Sequence, residues 1–226
     1  MSATLVSAQQ RIAYWNTIYK NQGRRWSSLP SLCAHLALAD IAAVRMKGPR
    51  ILDVGCGYGR DLALFGHVFS DGVLTGLDAS NEALRIARDL LPNNAFVNRD
   101  LFSTTNKRLG QRFDVVFSNY FLHLLFDDEI VEALRIMRTL ATKQGLLVSS
   151  LVSTRDRHYG KGKRLGFRSY EVAAGLAWRF ADEDDAARMW SAARLRVLAV
   201  RAYAEVELVG GRPDPVSSLY VIAVPE

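Results

Sequence analysis

Cysteine is scarce in this 226-residue chain, with only Cys33 and Cys56. Two thiols cannot build a disulfide framework, and so few fit a reducing compartment. No apolar run approaches the roughly 18–20 residues that a membrane span needs. The opening stretch MSATLVSAQQRIAYW has no basic start followed by an apolar core, so no secretory signal is expected and the expected location is cytoplasmic. No two of the four histidines, nor the two cysteines, stand at metal-ligand spacing, so no metal is expected. Internal repeats and low-complexity tracts are also missing. What is present is ordinary for a globular protein, 49% apolar and 23% charged residues, which excludes a disordered or collagen-like chain.

The apolar pattern changes character along the chain. Residues 1–47 read as a helical cap, with Ile12, Trp15, Ile18 and Tyr19, then Leu36, Leu38, Ile41 and Val44, near helical spacing. Asn21–Ser31, with Gly23 and Pro30, reads as the loop between two helices. From Pro49 the sequence alternates. Strands are expected at Ile51–Val54, Val73–Leu77, Ala95–Asn98, Phe113–Phe117 and Gly145–Ser150, with helices at Arg60–Phe69, Asn81–Leu91 and Glu129–Thr142. Such alternation implies right-handed crossovers and a parallel sheet covered on both faces, a Rossmann-like doubly wound α/β fold over residues 48–226. The end of the chain departs from it. After a basic loop come a hairpin near Phe167–Val172, a helix at Asp182–Ala193, and strands Arg196–Leu208 and Ser218–Val224 with no helix between them. The last two should be antiparallel neighbours, which separates this sheet from that of a dinucleotide dehydrogenase.

Asp53-Val54-Gly55-Cys56-Gly57-Tyr58-Gly59 is the most informative stretch. A strand enters three glycines at alternate positions and a helix follows, a turn that lets a ligand approach the backbone and the free N–H groups of a helix start. The spacing is G-x-G-x-G rather than the dinucleotide G-x-G-x-x-G. Asp53 beside the loop would repel a pyrophosphate but suits a ligand carrying an amino group. A second strand ends in Asp78, where a carboxylate can accept two ribose hydroxyls; the alternative is a cap for the following helix, a task that Ser80 or Asn81 can also perform.

The motif resembles that of class I S-adenosylmethionine-dependent methyltransferases, whose acid followed by x-G-x-G-x-G matches Asp53 to Gly59 position by position. The resemblance extends over about residues 48–224 and implies S-adenosylmethionine as cofactor. By that resemblance Asp53, Gly55, Gly57 and Gly59 cradle the methionine part, and Asp78 with Ala79 meets the ribose. Asp100 and Leu101 meet the adenine, although Asp100 can equally be a turn aspartate. Ser118 and Asn119 stand at the end of the fourth strand beside the methionine part. Tyr120 is expected to reach toward the acceptor, and the chain lacks the N-P-P-Y motif of many enzymes that methylate amino groups. His123 lies nearest the expected methyl, as a general base or as a packed, hydrogen-bonded histidine. The aromatic N-terminal segment is similar to the cap of the tellurite-resistance and thiopurine methyltransferase-like group, with Trp26 over the cofactor and Tyr19 toward the substrate.

Charge is concentrated. Residues 155–168 hold six basic residues and one acid, a net +5 of the chain's +6. The segment is either a solvated surface loop or a lid that holds an anionic acceptor through Arg157, Lys163 and Arg164. The resulting expectation is a methyltransferase acting on an O, N or S centre of a small metabolite, an anionic one where the basic segment is a lid. An RNA or protein methyltransferase ranks below it, since no interleaved basic and aromatic face is present. A non-catalytic cofactor-binding module is the third reading.

Overall fold

The computed structural model describes residues 7–27, 29–103 and 109–226. Helix α1 (Ala8–Gln22) begins in a capping box, with Gln10 N–H donating to Ser7 Oγ at 3.2 Å and Ser7 N–H donating to Gln10 Oε1 at 2.8 Å. Helix α2 (Leu32–Ala43) is capped by Ser31, whose Oγ accepts from Ala34 N–H at 3.1 Å. The alternating region gives β1 (Arg50–Val54), α3 (Arg60–Val68), β2 (Val73–Asp78), α4 (Asn81–Leu90), β3 (Ala95–Asn98), β4 (Phe113–Ser118), α5 (Asp127–Leu140) and β5 (Ala141–Val152). An insertion of three short strands follows, β6 (Lys163–Gly166), β7 (Ser169–Ala173) and β8 (Leu176–Arg179). Helix α6 (Glu183–Ala192) then leads to β9 (Leu195–Val209) and β10 (Arg212–Pro225).

The main sheet has seven strands in the order β3-β2-β1-β4-β5-β10-β9. Strands β1 to β5 pair in parallel, and β10 runs antiparallel to both β5 and β9. The expected doubly wound sheet with an antiparallel terminal pair is therefore the observed architecture. Both faces are covered. Leu52, Val116, Leu147 and Leu219 meet α5 and α6, while Ile51, Val115, Val148 and Tyr220 meet α2 and α3. Cys33, Ala34, Ala37 and Ile41 of α2 are fully buried in the same cluster as Ile51 and Phe65, so α2 packs as a layer of the sheet while α1 lies against α4.

Two differences from the sequence reading have physical causes. The terminal strands are longer than expected, because Gly210 and Gly211, with φ of 57° and 77°, make a two-residue hairpin turn that suits strand twist. Pro213 and Pro215 fit within β10 because it bonds to β9 alone until Ser218, so their missing N–H groups face an open edge. The hairpin near Phe167–Val172 is a three-stranded antiparallel sheet, β6-β7-β8. Its last strand holds the fully buried Arg179, which bonds Asp127 at 2.5 Å and Asp185 at 3.2 Å and so joins the insertion to α5 and α6.

Arg179→Ala leaves Asp127 and Asp185 without their buried cation and is expected to destabilise the protein by about 3–5 kcal/mol in urea unfolding. The exposed Arg188→Ala is expected to cost under about 1 kcal/mol, although it touches the same two carboxylates.

Candidate active site

One cavity opens at the carboxyl ends of the parallel strands, where β1 and β4 lie side by side in the sheet. Its floor is the glycine turn. Gly55 has φ 74° and donates its N–H to Leu77 O at 2.8 Å, and a Cβ there would sit 2.7 Å from Phe121. Gly57 has φ 54°, its N–H donates to Asp78 Oδ2 at 2.8 Å, and a Cβ would meet the Tyr19 hydroxyl at 2.7 Å. Both positions need glycine for conformation and for space. Gly59 starts α3 in the left-handed region and faces Leu91, Ala87 and Phe96, away from the cavity wall.

The acids differ in what they hold. Asp78 accepts from Ser80 N–H through Oδ1 at 2.7 Å and from Gly57 N–H through Oδ2. Each oxygen keeps a further acceptor site. Burial raises the Asp78 pKa, and the backbone N–H groups of Ser80, Gly57 and Ala79 oppose that rise. Ser80 itself caps α4, so Asp78 is not the side-chain cap of that helix. Asp53 is only 3% exposed and makes no hydrogen bond or ion pair among the described residues. Burial first, then the carboxylates of Asp61 and Asp78, push it well above the ordinary aspartate range, with Arg60 opposing. A buried carboxylate with no partner lining a cavity is a place for a ligand's cation.

Asp100, Leu101 and Ala79 also line the cavity. Asp100 shapes its own turn, with Oδ1 accepting from Phe102 N–H at 3.1 Å. Ser118 does not reach the cavity wall; its Oγ donates to Val54 O at 2.9 Å and ties β4 to β1. Asn119 does reach it, with its amide donating to Asp61 Oδ2 at 3.0 Å and accepting from Ser150 Oγ at 2.6 Å. Tyr120 follows in the left-handed region, φ 52°, where a bulky residue is uncommon. Its N–H donates to Ser150 Oγ at 3.0 Å and its hydroxyl to Glu205 Oε1 at 2.8 Å. Burial and the neighbouring Glu205 and Glu207 raise its pKa, so Tyr120 is a hydrogen-bond donor at neutral pH.

His123, 4% exposed, lies in a short 3-10 turn, Leu122–Leu124. Burial lowers its pKa to about 3, slightly offset by Asp156. At neutral pH the ring is uncharged, a good hydrogen-bonding group and a weak base.

The cap closes the other side. Trp15, Tyr19 and Trp26 stack against one another with ring centroids 5.6–6.4 Å apart, and all three line the cavity. Trp26 is held by a bridge to Val209 of β9. Trp15 had read as helix packing, since nothing in the sequence says which aromatic of an amphipathic turn faces a cavity. Arg60 was missed too. It is clamped by Glu207 of β9 at 2.8 and 2.6 Å, a partner 147 residues away.

The basic segment lies at the surface, with three of its arginines paired to carboxylates. Arg155 pairs with Glu183, Arg157 with Asp214, and Arg168 with Asp182 and Asp185. Asp214 lines the cavity, with Arg157 behind it, whereas Lys163 and Arg164 are exposed on β6 outside the cavity wall. Among the described residues no group of three metal-ligating side chains exists, and no helix is long and apolar enough to cross a membrane.

Comparison with known proteins bears on the family and the fold. Residues 46–181 match a family described as "Methyltransferase domain". A trans-aconitate 2-methyltransferase of Paracidovorax citrulli is 28% identical over 180 residues, covering 80% of this chain and 63% of that protein. The chain spans about half the length of other curated relatives it matches. Among solved structures, a SAM-dependent methyltransferase from Anabaena variabilis shares the fold with a TM-score of 0.75 at 15% identity, covering 100% of this chain and 98% of that one. TehB from Haemophilus influenzae, of the tellurite-resistance group, shares it with a TM-score of 0.60 at 12% identity, covering 93% and 66%.

Because burial raises the folded-state pKa of Asp53, its charge opposes folding of the ligand-free protein above that pKa. Asp53→Asn is therefore expected to raise the urea midpoint at pH 8. The gain should shrink as pH falls through the folded pKa and vanish near the ordinary aspartate value of about 3.9.

Proposed function

The chain belongs to the methyltransferase-domain family, and we propose that it transfers a methyl group from S-adenosylmethionine to an O, N or S centre of a small molecule. One observation carries this reading: the unpartnered carboxylate of Asp53 and the half-used carboxylate of Asp78 flank the Gly55–Gly57 turn on one cavity wall. The pair suits a ligand with an ammonium group at one place and a diol beside it. Asp53 would hold the ammonium of the methionine part, and Asp78 the two ribose hydroxyls. Asp100 and Leu101, at the end of β3, would meet the adenine. When bound, the cofactor supplies a methyl carbon made electrophilic by its sulfonium sulfur. The residues of this chain contribute alignment and exclusion of water, the latter through Trp15, Tyr19 and Trp26. In this reading the cap expected over residues 1–47 is supplied by α1 and the segment to Trp26, while α2 is a layer of the sheet. Tyr120 holds the turn beyond β4 in place and His123 stands uncharged beyond it.

Two features favour a small acceptor over RNA. The cavity lies beneath aromatic side chains, and Arg155, Arg157 and Arg168 of the basic segment are engaged by Glu183, Asp214, Asp182 and Asp185. Three of the six basic residues of that segment are thus paired with α6 and its cap or with β10, while Lys161, Lys163 and Arg164 stay exposed, which halves the charge open to a polyanion partner. Both thiols are unpaired and buried, in keeping with a reducing, cytoplasmic setting.

Asp78→Ala is expected to weaken S-adenosylmethionine binding by about 2–4 kcal/mol in calorimetry, through loss of charge-assisted hydrogen bonds. Incubation of the protein with methyl-labelled cofactor and either a metabolite extract or total RNA should label small molecules. Label recovered in RNA would reverse the ranking, and the Asp78→Ala protein should label neither.

A further inference from the structure

The cavity extends past the cofactor-binding residues. In the sheet order β3-β2-β1-β4-β5-β10, the adenine and ribose positions fall at β3 and β2 and the methionine position at β1 and β4. An acceptor must then lie beyond β4, against the 3-10 turn, β8 and β10. That wall is built by Phe121, His123, Leu124, Leu176, Trp178 and Val216. On β10 the charged side chain of this wall is Asp214, which faces Arg157, and beside it on β9 Glu207 is paired with Arg60.

Two rings at the centre of this wall lack polar partners. His123 makes no hydrogen bond through either nitrogen among the described residues, and its Nδ1 is fully buried. Trp178 Nε1 is likewise buried and unpartnered. The imidazole stands edge-on to Tyr120 at 5.9 Å and to Trp178 at 5.2 Å, so its plane is fixed by rings on two elements. Buried polar groups without partners are rare, and each asks for an explanation. An aromatic wall with few polar groups is the usual make-up of a small-molecule site for an apolar, ring-bearing ligand.

Resting on the methyltransferase reading, we infer that the acceptor is an uncharged planar aromatic compound carrying a hydroxyl or ring N–H. Its ring packs on Trp178, and its polar hydrogen is donated to His123, a positioning residue. The acceptor atom gives the lone pair for the new bond to the methyl carbon. The pair of the broken C–S bond stays on sulfur, and the displaced proton passes to solvent. Low basicity of the buried imidazole suits this role, since the ring accepts a hydrogen bond without retaining the proton. An anionic acceptor, by contrast, would meet Asp214 on this wall, and of the cavity's arginines Arg60 is paired with Glu207 and Arg11 with Glu129, while Arg25 stacks on Trp26 at the rim.

The test compares three probes of one ring size: 1-naphthol, its anionic analogue 1-naphthoate, and 1-methoxynaphthalene, which has no hydrogen to donate. Binding is read by saturation-transfer NMR and equilibrium dialysis on the protein loaded with S-adenosylhomocysteine. The wild type should bind 1-naphthol at least about tenfold more tightly than 1-naphthoate and several-fold more tightly than 1-methoxynaphthalene. Trp178→Leu, or Trp178→Ala should that variant misfold, is expected to weaken all ring binding about tenfold while S-adenosylhomocysteine affinity stays within twofold. His123→Phe should bind 1-naphthol and 1-methoxynaphthalene equally, and His123→Gln, which restores an acceptor, should recover the preference. A purely structural histidine would lower both affinities in parallel. Equal or tighter binding of 1-naphthoate, or an unchanged preference in His123→Phe, overturns the inference. A wild type that fails to bind S-adenosylhomocysteine overturns instead the methyltransferase reading on which it rests.

Discussion

The carboxylate of Asp61 is the point at which the separate parts of this molecule meet. It sits in the first turn of α3, where the helix dipole favours a negative charge, directly after the glycine turn. Its Oδ1 accepts from Ser31 N–H at 2.8 Å and its Oδ2 from Ser31 Oγ and Asn119 Nδ2 at 2.9 and 3.0 Å. Three segments are thereby registered on one buried group: the start of α2, the glycine turn and the end of β4. From Asn119 the bonds run on to Ser150 and the backbone of Tyr120, which fixes the uncommon left-handed conformation beyond β4. A network so deeply buried is stable only when complete, and every member of this one has its partner.

Around that network the acids divide the work. Those that bind other parts of the protein are engaged, as Asp61, Glu205 and Glu207 are. Asp53 and Asp78, which face the cavity, are held in a costly state, buried and raised in pKa, with acceptor capacity unused. Stability is given up at the two positions where a ligand with hydroxyl and ammonium groups would restore it. A polar cradle at β1 and β2 and an aromatic wall at β8 and the 3-10 turn then divide the cavity into two chemically distinct halves.

Much of this was legible in the sequence because it depends on short-range pattern. Period-two and period-3.6 alternation located five parallel strands and their helices within a few residues, since each element must bury a face. The G-x-G-x-G spacing and its leading acid carried the turn, because only glycine fits the torsions and the contacts at Gly55 and Gly57. The second acid, Asp78, followed from its place at a strand end. Other features were illegible for a common reason. The Arg60–Glu207 and Tyr120–Glu205 contacts join residues 147 and 85 positions apart. The partners of Arg155, Arg157 and Arg168 on β10 and at the start of α6 were likewise hidden from any local pattern. Ser118 and Gly59 matched a motif by position, yet one ties two strands and the other shapes a helix start.

The sequence by itself determined the fold class, the glycine turn and the chemistry of the cofactor side, because those are set by local sterics and by residues at fixed offsets from strand ends. Tertiary structure alone decided which charges are spent on one another and which aromatics close the cavity. Those outcomes depend on distances between segments far apart in the chain. In particular, the basic segment became a clasp once Asp182, Glu183, Asp185 and Asp214 came within reach, and His123 became a buried neutral ring once Trp178 packed against it.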